Sequence, residues 1–198
     1  VSNSRVLGRV VFEIKSGVYS ERPRFFKFLG ASDKNNVVFK SETNNAADVI
    51  IIGITEKKAF NHHIVRFQGA TFTTLEAVTV INQNSLSDGF ASAIHLTRNC
   101  ILKVDSTITL NSNYSVIIST DEKTMVGLDT NASRTTIEGN QIIGGFFGIK
   151  LLGFSPTYRD NQNKINGNTF RGQYNAAIFA DNNDFTSISN NDIKLRAI

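Results

Sequence analysis

The sequence predicts an all-β fold, a parallel β-solenoid of about seven or eight coils, and three observations predict it. The first is a phrase that recurs. Ile137-Glu138-Gly139-Asn140-Gln141-Ile142 returns as Ile165-Asn166-Gly167-Asn168-Thr169-Phe170 and, more loosely, as Ile188-Ser189-Asn190-Asn191-Asp192-Ile193. The asparagines are 28 and 23 residues apart, and self-similarity at such a period marks a stacked architecture. The second is composition: 22 Asn stand against 10 Asp and 7 Glu, with no Trp. Asn tolerates left-handed backbone and bonds its own main chain, which suits many turns between short strands. The third is rhythm. From residue 60 short apolar runs alternate with polar corners, and no window of a dozen residues keeps a 3.6-residue apolar period.

In chain order, Arg9–Lys15 is β-branched and aromatic, Gly17 supplies a turn, and Arg24–Gly30 continues in the same style. Asn36–Lys40 and Asp48–Ile52 are strands flanking a polar loop. Further strands are expected at His63–Phe67, Thr74–Val80, Ala93–Leu96, Ile101–Val104, Thr107–Leu110 and Ser115–Ile118. Gly148–Leu151 and Ala176–Phe179 complete the set. Ser41–Asp48 and Leu86–Ile94 are the best candidates for helical turns, so helix is at most a minor component. Each repeat unit then runs from Asn motif to turn, second short strand, variable loop and next motif, with two or three strands per coil. Inserts such as Asp121–Asn131 and Gly153–Asn163 are expected to leave the rod as loops. Stacked at about 4.8 Å, the coils give a rod on the order of 35 Å long. The chain reads as a single domain, with first coils or a cap region over 1–58 and regular coils over 59–198.

At 198 residues the chain is long enough for one sizeable core. Its lone cysteine, Cys100, excludes an intrachain disulfide. The net charge of +4 is uneven: residues 1–40 carry eight Lys/Arg against three acids, and the remainder is close to neutral. No basic stripe interleaved with aromatics runs along the chain. This reads as a solvated basic end, and nucleic acid is not expected as a partner. No apolar run approaches the roughly 20 residues of a membrane span.

Several segments resemble a known family. Gly17-Val18-Tyr19-Ser20-Glu21, Asn36-Val37-Val38-Phe39-Lys40-Ser41-Glu42 and Asn45-Ala46-Ala47-Asp48-Val49-Ile50-Ile51 are similar to the N-terminal part of right-handed parallel β-helix (pectin-lyase-like) surface proteins exported by the type IX route. The Ile-x-Gly-Asn-x-Ile rungs match that family's later coils. The resemblance implies a right-handed β-helix and a secreted or cell-surface location. Members carry a signal peptide and a C-terminal sorting domain, neither of which is in this chain, so a fragment of a longer protein is the expectation.

Asn140, Asn168 and Asn191 are expected to form a structural ladder, each amide satisfying the backbone of a turn. A lyase on this rod would need a base and a cation for a uronate carboxylate, and Lys150, Arg159, Arg171 and Asp181 are the residues of the right type. A hydrolase would need a carboxylate pair, for which Glu138, Asp160, Asp181 and Asp184 are candidates by type alone. Phe154, Tyr158 and Tyr174 stand in or beside late loops, where an aromatic ring can stack on a sugar. No metal site is expected. His62 and His63 point to opposite faces of a strand, and Asp181–Asp184 has oxygen donors for Ca²⁺ but lacks a glycine-spaced ligand array, so a polar turn is favoured.

The functional expectation is an extracellular or cell-surface structural and adhesive module without catalysis, binding a surface glycan or other cell-surface proteins. The alternative is a carbohydrate-active enzyme on the same fold, a polysaccharide lyase before a glycoside hydrolase. A weaker option is a passenger segment of a larger complex, docked through the basic first 40 residues.

Overall fold

The computed structural model describes residues 5–54, 63–83, 92–97, 108–110, 117–120, 126–130, 134–152, 156–157 and 159–197. Among these the regular structure is all β, with no helix. The first circuit runs through β1 (Val10–Ile14), β2 (Gly17–Tyr19) and β3 (Arg24–Phe26). The second has β4 (Val37–Ser41), β5 (Val49–Gly53) and β6 (His63–Gln68). The third has β7 (Thr73–Glu76), β8 (Thr79–Asn82) and β9 (Ser92–Thr97). The fourth has β10 (Ile108–Leu110), β11 (Ile117–Thr120) and β12 (Val126–Thr130). The fifth has β13 (Thr135–Glu138), β14 (Gln141–Gly144) and β15 (Phe147–Leu152). After the two-residue β16 (Asp160–Asn161) come β17 (Lys164–Asn166), β18 (Thr169–Arg171) and β19 (Ala176–Asp181). A second short strand, β20 (Asn183–Asp184), precedes β21 (Ser187–Ser189) and β22 (Asp192–Lys194).

The first strands of the seven circuits stack as sheet A, in the order β1-β4-β7-β10-β13-β17-β21. The second strands stack as sheet B, β2-β5-β8-β11-β14-β18-β22. Six third strands make sheet C, β3-β6-β9-β12-β15-β19, and β16 pairs with β20 beside them. Every pairing is parallel, so each strand meets its equivalent one circuit away and equivalent side chains fall into columns. On sheet A one column reads Phe12, Phe39, Leu75, Leu110, Ile137, Ile165, Ile188. On sheet B the matching column is Tyr19, Ile51, Val80, Ile118, Ile142, Phe170, Ile193. Sheet C contributes Phe25, Phe67, Leu96, Thr130, Leu151, Ala180. The middle members with described side chains are buried, Leu75, Ile137, Val80, Ile142, Phe170, Phe67, Leu96 and Leu151 among them. Near the start of the chain the columns are aromatic: Phe12 stacks on Phe39 at 4.8 Å, and Phe25 joins Phe39 (4.4 Å) to Phe67 (4.8 Å) across two sheets. Burying a side chain of this size contributes roughly 1.5–3 kcal/mol, which is how strands of three to six residues hold together.

Three expectations are corrected. Thr74–Val80 is not one strand: Ala77 takes a left-handed φ of 49° and turns the chain from sheet A into sheet B. The insert Asp121–Asn131 is not wholly loop, because Val126–Thr130 is the sheet C strand of its circuit, with Leu128 between Ile94 and Ile149. The first six circuits each have three strands, and the third strand of the fourth falls within this insert. Ser41–Asp48 makes no helix. Thr43 donates to Asp48 (2.7 Å), and the backbone amides of Thr43 and Ala47 bond the side chains of Ser41 and Asn45, local bonds that compete with a helical ladder. The expected strand Ile101–Val104 and residues 86–91 lie outside the described residues.

Candidate functional site

The corners are built by two columns of left-handed residues. Leaving sheet A, the chain turns at Ala77 (φ 49°), Gly139 (66°), Gly167 (63°) and Asn190 (53°), which are equivalent in register. Entering sheet A, it turns at Phe72 (50°), Arg134 (55°), Gln162 (57°) and Phe185 (50°). Glycine and Asn adopt this conformation readily, whereas a bulky residue there is strained and persists because the stack on either side over-determines it.

Immediately after the first of these turns stand Asn140, Asn168 and Asn191, brought into one hydrogen-bonded column. Asn168 Oδ1 accepts from the backbone N–H of Asn140 (2.9 Å) and from its Nδ2 (3.1 Å). Asn191 Oδ1 accepts in the same way from Asn168, at 2.9 and 3.0 Å. The Nδ2 groups of Asn168 and Asn191 donate to the carbonyls of Ile137 (2.9 Å) and Ile165 (3.1 Å). Two further buried amides do the same work at the other corners and were not singled out by the repeat. Asn163 Oδ1 accepts from Thr135 N–H (2.9 Å), and Gln173 Nε2 donates to the carbonyl of Ile142 (2.8 Å). The sequence signal was present, since Asn163, Asn168 and Gln173 are spaced five residues apart, one per corner.

Residues of the lyase set are distributed over different sheets. Lys150 and Asp181 are on sheet C, Arg171 is on sheet B, and Arg159 precedes β16. Arg159 is paired with Asp184 at 2.6 Å, and Arg171 with Asp192 in the next circuit. Of the hydrolase candidates, Glu138 accepts from Asn166 (2.7 Å) and Lys164 (3.2 Å). The Asn166 hydrogen bond, with Lys164 behind it, holds this carboxyl below the usual range. A general acid needs the opposite shift. Asp181 and Asp184 share a turn in which Asn183 Nδ2 donates to the carbonyl of Asp181 (2.7 Å). Among the described residues, no three of His, Cys, Asp and Glu gather to hold a metal ion. Tyr174 carries the Arg196 guanidinium over its ring at 4.7 Å. Phe154, Tyr158 and His62 lie outside the described residues.

Sheet C brings together what the sequence scattered. Its outward column includes Arg24, Arg66, His95, Lys150 and Phe179, opposite in parity to the core residues Phe25, Phe67 and Leu96. Two residues further along the same face stand Phe26 and Gln68 in register. His63, at the start of β6, is buried and its ring lies 5.7 Å from that of His95. Burial, then the charges of His95, Arg66, Arg24 and Arg22, lower its pKa from 6.5 to about 3, so it is neutral at neutral pH. Spacing hid this face because Arg24, Arg66 and His95 are 42 and 29 residues apart.

Comparison of the chain with protein-family models, with curated proteins and with solved structures finds no match. No helix among the described residues is long and apolar enough to cross a membrane.

Proposed function

We propose that this chain is a stretch of right-handed parallel β-helix of the pectin-lyase-like surface-protein kind. In this reading it works outside the cell as a structural and adhesive module that holds glycan without cleaving it. The observation that carries the proposal is the separation of roles. The repeat phrase is consumed by corner hydrogen bonds; of the lyase set, Arg159 and Arg171 stand in ion pairs, and Arg171 is on a different sheet from Lys150 and Asp181. Catalysis needs a base and an electrostatic stabiliser around one reacting atom, whereas recognition needs only a patterned outer face. The resemblance of residues 17–51 to that family supports the secreted location.

The test is prolonged incubation of the protein with a polyuronate and with neutral glycans, following the ultraviolet absorbance of unsaturated product and the release of reducing ends. The expected outcome is no turnover with retention of glycan. Turnover that survives repurification overturns the non-catalytic reading in favour of a lyase or hydrolase.

A further inference from the structure

The second copy of the repeat phrase contains Asn166-Gly167, the single Asn-Gly step in the chain. The corner does not demand this pair, because Glu138 and Ser189 fill the position of Asn166 in the circuits on either side. Asn before Gly is chemically distinctive. Its side-chain carbon Cγ can close a small ring with the next backbone nitrogen, and a glycine nitrogen is the least hindered. In the folded chain both reacting groups are held. Gly167 N–H donates to the Ser189 carbonyl (3.1 Å). Asn166 Nδ2 donates to Glu138 Oε1 (2.7 Å), and Asn166 Oδ1 accepts from Ser189 Oγ (2.9 Å) and Asn190 Nδ2 (3.0 Å). Three of these four bonds come from the seventh circuit. That circuit is weakly held: Ile188 and Ile193 are 50% and 49% exposed, whereas Ile165 and Phe170 beside them in the columns are fully buried. Elements with few buried apolar contacts open locally at low free energy.

We propose that Asn166-Gly167 is a self-modification site that records opening of the seventh circuit. When β21 lifts away from β17, the Gly167 nitrogen gives its proton to hydroxide and attacks Asn166 Cγ. The new N–Cγ bond closes a succinimide, the Cγ–Nδ2 bond breaks, and Nδ2 takes a proton from water and leaves as ammonia. Water then opens either carbonyl of the ring, leaving aspartate or isoaspartate, with nothing oxidised or reduced. Either product resists re-docking. Isoaspartate routes the main chain through Cγ and adds a methylene to it directly before Asn168, whose side chain bonds Asn140 and the Ile137 carbonyl. Stacking depends on register, so the added atom moves the following residues out of their columns. Aspartate sets a carboxylate where the Asn166 amide had donated to Glu138. Like charges facing each other in a ladder are destabilising, and Lys164, 3.2 Å from Glu138, balances only one of the two. The closed stack thus blocks the reaction, and the reacted chain cannot close the stack. The inference is independent of the glycan-holding reading above.

The chain is incubated in mildly alkaline buffer, folded and in urea. Peptide mapping by mass spectrometry follows the amide-to-acid change at Asn166, and isoaspartyl methyltransferase labelling identifies isoaspartate. Modification in urea should run on the order of a hundredfold faster than in the folded chain, where it waits on local opening. Ile188→Ala, in β21, should speed the folded-state reaction about tenfold, since part of one buried aliphatic side chain is worth about that factor in an opening equilibrium. Phe12→Ala removes a side chain of similar exposure (47%) from β1 and should leave the rate unchanged. Ser189→Ala removes only the hydroxyl bond to Asn166; it should also speed the reaction, and it decides if Ile188→Ala does not fold. The modified chain, repurified, should melt below the parent. The proposal is overturned if the folded and urea rates are equal, if neither β21 variant speeds the reaction, if Phe12→Ala speeds it as much, or if the modified chain melts with the parent.

Discussion

Asn168 is bonded on both sides, its oxygen to the circuit before and its amide nitrogen to Ile137 and Asn191. Removing such a side chain leaves the Asn140 N–H and the Ile137 carbonyl buried without that partner, a loss of about 1–3 kcal/mol. Asn168→Ala is therefore expected to lower stability by that amount in urea denaturation with the slope unchanged; an unaltered midpoint would contradict the role. The position is not obligatorily polar. In the third circuit Ala77 takes the glycine position and Val78 the asparagine position, and Val78 is buried in the apolar core. The phrase Leu75-Glu76-Ala77-Val78-Thr79-Val80 is thus a fourth copy of the motif. It was not legible because its two diagnostic residues had been replaced, and only register identifies it.

At the scale of the strand, apolar alternation located most elements, and it failed where an element's meaning depends on a neighbour. Val126–Thr130 is a strand because β9 and β15 stand on either side of it. Gly148 has the same kind of explanation: a Cβ there would meet the Ala177 carbonyl oxygen at 2.7 Å and the Phe170 ring at 2.8 Å, so sheet packing excludes a side chain. The face of sheet C also creates the environment of His63, which no local pattern signals. Its pKa is lowered to about 3 in the folded protein against 6.5 unfolded, so below pH 6.5 the unfolded chain takes up a proton that the folded chain refuses. Folding stability should therefore fall as pH drops from about 6.5 toward 3. His63→Gln should flatten that part of the stability–pH curve, measured by chemical denaturation at a series of pH values. Equal slopes for parent and variant would refute the assignment.

At the scale of the molecule, the described strands of sheets A, B and C pair with those of the circuits before and after, so stability is close to a sum of circuit and interface contributions. Asn140 and Asn168 are equivalent positions 28 residues apart. Deleting residues 140–167 joins Gly139 to Asn168 and removes one whole circuit while keeping every column in phase. That deletion should give a β-rich protein with a cooperative but lower-melting transition by circular dichroism. Deleting 141–167 instead slips the register by one residue and turns core residues outward, so it should abolish the cooperative transition. Similar melting of both deletions would argue against register as the organising constraint.

The amino-acid sequence alone determined the all-β class, the absence of sustained helix, the repeat and its asparagine positions, because alternation and turn chemistry are local properties. Tertiary structure decided the number of strands per circuit, the paired fate of Arg159 and Arg171, and the alignment of Arg24, Arg66 and His95 on one face. Those depend on which residues meet across circuits of unequal length. The 42 residues from Arg24 to Arg66 and the 29 from Arg66 to His95 each close to a single strand spacing only after the chain has wound round its core.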